Sequence, residues 1–188
     1  MDYYLDIRLR PDPESAPAQL MSALFTKLHR TFVTLQNQDI GISFPEHRST
    51  RPITLGSFLR LHGSAQALER LMQPGWLSGM SDHVVLGELL PVPAGARHRI
   101  VRRVQAKSSP DRLRRRQMRR HPIDAEEALR RIPDDAAQRL DLPYVSIRSQ
   151  STEQSFRLFV EHGPTQALPQ TGVFNSYGLS PVATIPWF

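Results

Sequence analysis

The sequence has no cysteine, only two lysines among its 24 basic residues, and no apolar run approaching the roughly 18 residues that a membrane span requires. The missing thiols exclude disulfides, thiolate metal sites and cysteine nucleophiles together. The first residues, "MDYYLDIRLR", lack the basic-then-apolar order of a secretion signal, so a cytoplasmic protein with no membrane partner is expected. Clustered acids and histidine pairs at metal-ligand spacing are missing as well, which argues against a two-metal nuclease and leaves no metal or other cofactor expected. What is present is a 188-residue chain of 39% hydrophobic content, enough for one moderate core or two small ones.

The charge is unevenly placed. Residues 97–120 hold eleven Arg or Lys against a single acid, Asp111, while the rest of the chain carries a net −4. A basic segment on a mildly acidic body is the footprint of a polyanion-binding surface. GC-rich coding favours arginine over lysine without any function, but the planar guanidinium also suits phosphates and guanine edges.

Residues 3–9 alternate as a half-buried strand does, with Tyr3, Leu5, Ile7 and Leu9 on one side. From Ala18 to Leu35 the residues Leu20, Met21, Leu24, Phe25, Leu28 and Phe32 recur at helical spacing, covering an arc of about 140°. Strands are predicted at 39–45 and 53–63, a short helix from a Ser64 cap through Met72, and a strand at 83–92. The order strand, helix, strand, strand, helix, strand is ferredoxin-like. After the linker candidate "PVPAGA" a second domain is expected, giving an α+β protein with a ferredoxin-like domain over 1–94 and a domain with an arginine-rich helix over 95–188. That helix starts at Pro110 behind Ser108 or Ser109 as cap. Another helix starts at Asp124 with Glu127 completing a capping box, a third at Pro133, and antiparallel strands follow at 143–150 and 155–163, with short strands around "VFNSYGLS" and "TIPWF".

Within "DRLRRRQMRR", Arg112, Arg115, Arg116, Arg119 and Arg120 fall in an arc of about 140° on a helical wheel. Solvated helix faces normally interleave acids at i+4, and only Asp111 is available, so this face is predicted to hold a polyanion, nucleic acid above all. Upstream, Arg103 and Gln105 lie two residues apart on one side of an extended segment, and both are side chains that bond two atoms of a purine edge.

The segments "YLDIRLRPDPE", "LMSALFTKLH", "RVQAKS", "LRRRQMRRH", "IRSQST", "FRLF", "YGLS" and "PWF" together closely resemble the CRISPR type I-F repeat-processing endoribonucleases, along the whole chain. The resemblance implies an arginine helix seated in the major groove of a short repeat hairpin, with Arg115, Arg116, Arg119, Arg120 and His121 as groove residues. It implies Arg103 and Gln105 as base readers, with Arg102 an extra cation beside them, and Phe156 stacking on the terminal base pair. His29, in "KLH", matches the catalytic histidine, Ser149 the serine that positions the ribose hydroxyl, and Tyr177 a tyrosine that orients the site.

From the residues alone, His29 lies about 40° past the apolar arc of its helix and reads as a half-buried interfacial histidine. Ser149 reads as an ordinary turn or strand-end residue and Tyr177 as a core aromatic. Histidine suits proton transfer because its pKa of about 6.5 is close to working pH, but the sequence does not say whether His29 is base or acid. His47, His62, His83, His98 and His162 read as surface or loop residues. The function implied is metal-independent cleavage of precursor CRISPR RNA at the base of the repeat hairpin. The 2′-hydroxyl attacks, leaving a 2′,3′-cyclic phosphate and a 5′-hydroxyl, and the mature guide RNA is retained with other type I-F effector proteins; the chain alone is expected to be monomeric. The alternatives are a non-catalytic hairpin-binding subunit and a DNA-binding regulator.

Overall fold

Strand β1 (Tyr3–Leu9) follows the alternation of its sequence, burying Leu5, Ile7 and Leu9 and exposing Arg8. The computed structural model containing it describes residues 1–105, 110–133, 140–148 and 155–188. Helix α1 (Pro17–Thr34) opens on a proline whose fixed φ suits a first turn. It buries Leu20, Met21, Leu24, Phe25, Leu28 and Phe32, the six residues of its apolar arc. Strands β2 (Gly41–Ser43) and β3 (Phe58–Gly63) come next, then α2 (Ala65–Met72), whose Ala67 N–H donates to the Ser64 hydroxyl at 3.2 Å, then β4 (Val84–Pro91). The strands form an antiparallel sheet in the order β2-β3-β1-β4, the ferredoxin-like arrangement, with β1 paired to both β3 and β4.

A second sheet, in the order β6-β7-β5-β8, is built from β5 (Arg97–Val104), β6 (Tyr144–Arg148), β7 (Ser155–Gln166) and β8 (Thr184–Trp187). Strand β5 begins well before the extended segment expected from "RRVQAK", because its four arginines mask the alternation and Val101 is its one buried side chain. The segment "VFNSYGLS" is not a strand. Asn175 folds it into a turn, its Oδ1 accepting from the N–H groups of Tyr177 at 2.9 Å and Leu179 at 3.2 Å.

Sheet membership changes between β4 and β5. Compactness draws a different line: Met1–Arg103 with Leu142–Phe188 form one unit and Val104–Asp141 another. The reason is a single core under both sheets of the first unit, containing Ile7, Phe25 and Leu59 from one and Val101, Val145, Leu158 and Ile185 from the other. At Gly41 of β2 the packing is tight, since a Cβ there would lie 2.6 Å from Ile185 of β8 and from Phe174.

The second unit holds α3 (Pro110–Arg120) and α4 (Ala125–Arg131), which pack together. Asp124 caps α4 by accepting from the Glu127 N–H at 2.8 Å, as its sequence predicts. The caps expected at Ser108 or Ser109, and most of the helix expected from Pro133, lie outside the described residues. Among the described residues, no helix is long and apolar enough to cross a membrane.

Candidate active site and nucleic-acid interface

His29 lies in the second half of α1, at the edge of the buried face, and is half-buried. Its Nδ1 is 2.7 Å from the Ser176 carbonyl oxygen. A carbonyl can only accept, so Nδ1 carries the proton and donates, and in the neutral ring Nε2 is left as the nitrogen with a free lone pair. The Tyr177 ring stacks on the imidazole, with centroids 4.2 Å apart and planes at 18°. Phe25, one helical turn before His29, stacks on Tyr177 in turn at 6.3 Å and 11°. The imidazole is therefore fixed by one hydrogen bond and one aromatic face.

The turn that supplies both contacts depends on Gly178, which has φ +70°. A Cβ there would stand 2.7 Å from Ile42 and 2.9 Å from Phe32, both fully buried. Its carbonyl accepts from the Ile42 N–H at 2.9 Å, tying the turn to β2. Sequence reading gives Phe25 only a place in the apolar arc of α1 and gives Asn175, Ser176 and Gly178 no role at the site. The signal that points to three of them is "NSYG", an Asx-type turn ending in a glycine.

The Arg103 guanidinium carbon lies 5.3 Å from the Tyr177 ring centre and 5.7 Å from that of Phe156. His29, Tyr177, Arg103 and Phe156, each half-buried, thus form one continuous cluster within the first unit. Gln105 is exposed and belongs to the second unit. Ser149 lies outside the described residues. Arg102 points its charge elsewhere, its Nε donating to Glu161 on β7 at 2.6 Å, which raises its pKa further.

In the second unit, α3 turns Leu113, Arg114 and Gln117 inward, all half-buried, and Arg114 donates to the Ile132 carbonyl at 2.7 Å. The opposite face carries Arg112, Arg115, Arg116, Arg119 and Arg120, all exposed, the five residues that share an arc on the helical wheel. Among the described residues, Arg116, Arg119 and Arg120 form no ion pair. His121, just past the helix, is exposed too.

Three of the histidines assigned to surface or loops lie in strands, His62 in β3, the half-buried His98 in β5 and His162 in β7. His62 is fully buried in β3, where the Ser43 hydroxyl is 2.8 Å from its Nε2, and burial pushes its pKa well down. His162, on β7, accepts the Phe44 N–H at Nε2 (3.2 Å) and stacks on His47 at 3.7 Å. Burial first, then the nearby His47 and Arg99 charges, lower it to about 2. His162 lies on the inward face of β7 with Leu158 and Val160, whereas His62 shares the face of Arg60 in β3, a strand buried on both faces.

Set beside known proteins, residues 4–188 match the sequence model of a family described as CRISPR-associated protein (Cas_Csy4). The chain is 55% identical over 188 residues to a protein named CRISPR-associated endonuclease Cas6/Csy4 from Pseudomonas aeruginosa (strain UCBPP-PA14), covering 100% of both chains. It is 46% identical, again over 188 residues and 100% of both, to a protein of the same name from Escherichia coli (strain UTI89 / UPEC). A solved structure described as "An RAMP protein binding different RNA substrates" covers 98% of this chain and 99% of its own at a TM-score of 0.34 and 12% identity, too distant to argue from. On the full-length family match and these identities, the chain belongs to the Cas_Csy4 family of CRISPR-associated proteins.

Proposed function

We propose that this chain, a CRISPR-associated endonuclease by family, cuts precursor CRISPR RNA at the base of the repeat hairpin without a metal ion and then keeps hold of the product hairpin. The observation that carries the reading is the fixed imidazole of His29, with Nδ1 committed to Ser176 and Tyr177 stacked on it, next to Arg103 and Phe156.

In this reading Phe156 stacks on the terminal base pair, and Arg103 with Gln105 reads base edges above it. Ser149 positions the ribose, and the 2′-hydroxyl gives its proton to Nε2 of neutral His29. The O2′–P bond forms as the P–O5′ bond breaks, the 5′-oxygen takes up a proton, and the products carry a 2′,3′-cyclic phosphate and a 5′-hydroxyl. The exposed α3 ridge, Arg115, Arg116, Arg119 and Arg120 with His121, grips the major groove. A-form RNA normally keeps that groove too narrow for side chains, but a short stem capped by a loop admits a helix from its end. We also propose a cytoplasmic protein, monomeric alone, that joins other type I-F effector proteins while carrying its guide RNA.

Incubation with a repeat hairpin in EDTA tests the activity. Wild-type protein should cut, and His29→Ala should lose about 10² to 10⁴ in rate while binding the hairpin normally. Cutting at the wild-type rate by the variant, or by wild type on RNA whose scissile 2′-hydroxyl is replaced by hydrogen, would remove the mechanism. Hairpin binding with no cutting by wild type would favour the non-catalytic subunit, and effective competition by duplex DNA a regulator.

A further inference from the structure

On the outer face of the β6–β7 ribbon, Tyr144 is 41% exposed, the Arg157 guanidinium lies 4.6 Å from its ring centre, and Phe159 meets it edge-on at 5.6 Å. One face of an exposed tyrosine thus carries a cation. Tyr144 also lines a pocket of about 450 Å³ whose wall mixes the apolar Met21, Ile53 and Leu55 with Gln19, Ser22, Thr54 and Ser146 and holds no acidic residue. The Ser146 N–H donates to the Ser22 hydroxyl at 3.1 Å, locking strand to helix. Ser22, Thr26 and His29 fall within about 60° of one another around α1, and Ser22 is about 10 Å along the axis from His29. A polar stripe of one helix therefore leads from the pocket to the imidazole.

An aromatic platform with a stacked cation, neutral hydroxyl and amide groups and no acids suits single-stranded nucleic acid: bases stack, guanidinium tracks phosphate, and hydroxyls meet the 2′-OH. We propose that this face binds the unpaired RNA strand beyond the cut, the one that leaves with the 5′-hydroxyl. The inference rests on the hairpin-cleavage reading above and extends that site by a flank-binding groove. It makes Tyr144 and Arg157 determinants of how tightly a flanked precursor is held before cleavage, and it leaves the product hairpin without this anchor once the flank has been released.

The test uses the full chain and two uncleavable hairpins with a 2′-deoxy sugar at the cut, one ending a nucleotide past it and one extended by about six unpaired nucleotides, a length typical of single-strand sites. Wild type should bind the extended RNA about tenfold more tightly, the worth of a stacked base. Y144A/R157A should lose that gain, bind the short hairpin like wild type and cut its cleavable form at the wild-type rate. Tyr144→Phe should keep the gain, which separates stacking from a general loss of structure. Equal, tight binding of both hairpins by wild type, or a gain that survives in the double variant, overturns the groove alone. Weak binding of both by wild type overturns the hairpin reading and the groove with it.

Discussion

The imidazole of His29 and the arginine face of α3 are held in opposite ways. His29 is anchored by a carbonyl and an aromatic ring, each contributed by a turn that buried residues and a positive-φ glycine hold in shape. Arg116, Arg119 and Arg120 are exposed and, among the described residues, have no acidic partner. Helix α4, in the same unit, shows that such partners are not hard to supply: Glu127 pairs with both Arg130 and Arg131, the latter at 2.8 Å. Moving a proton demands one geometry, so that side chain is built into the fold. Holding a polyanion demands potential, and every internal partner would lower it.

The largest effect expected from this contrast is on RNA affinity. The triple variant R116A/R119A/R120A should bind a repeat hairpin at least about 10³-fold more weakly, because each charge-assisted contact is worth about 1.5–3 kcal/mol. Its log–log salt slope should shrink by about two to three, since each phosphate contact contributes roughly 0.7 to 0.9. Stability to urea should be unchanged or slightly higher, because among the described residues no ion pair of theirs is lost and like charges are removed. Replacing Arg130 and Arg131 of α4 in the same way should alter the slope far less. A triple variant that unfolds at lower urea and keeps the wild-type salt slope would reverse the contrast.

How well each region could be read in the sequence follows the same division. The exposure of the arginine face was legible, because it follows from one helix and one run of arginines, while the cap expected at Ser108 or Ser109 lies outside the described residues. The ferredoxin-like sheet was legible too, since apolar alternation in residues 3–9 and helical spacing in α1 are local patterns. The environment of His29 was legible only to the helix edge. What fixes it comes from residues 175–178, well over a hundred positions away, and no periodicity links them to α1. "VFNSYGLS" reads as a strand by its aromatic and β-branched residues, whereas the Asn175 side chain and Gly178 make it a turn. His162 is missed because a polar residue in a strand gives no burial signal unless Leu158 and Val160 beside it are read as a pattern, and His62 because β3 is buried on both faces, which its local sequence does not reveal.

That turn supplies the next prediction. Gly178→Ala forces a Cβ into Ile42 and Phe32, which are packed on all sides, and adds left-handed backbone strain. A stability loss of about 1–3 kcal/mol is expected in urea unfolding. Cleavage should fall well beyond what the unfolded fraction explains, because Ser176 and Tyr177 move away from the imidazole, while hairpin affinity and salt slope stay close to wild type. Normal cleavage by the variant would show that the turn positions nothing the reaction needs.

The smallest effect expected is on acid stability, and it too belongs to the first region. Guanidinium groups do not titrate in the accessible range, so the arginines of the ridge contribute nothing there. Burial holds His62 and His162 neutral in the folded chain, His162 at about 2, and lowers the half-buried His47 as well. In the unfolded chain they bind protons below about pH 6.5. A lowered folded pKa means that stability is complete above that value and is lost as pH falls toward the folded one, by about 1.4 kcal/mol per pH unit for each group that stays neutral. Between pH 6.5 and 5, above the range in which exposed carboxylates titrate, the slope of unfolding free energy against pH should correspond to between one and three protons. His162→Gln retains a side-chain acceptor for the Phe44 N–H and cannot titrate, so it should reduce that slope by about one proton. An unchanged slope would mean that acid enters through other groups, and that the stacked pair of His47 and His162 is no part of what ties the first region's stability to pH.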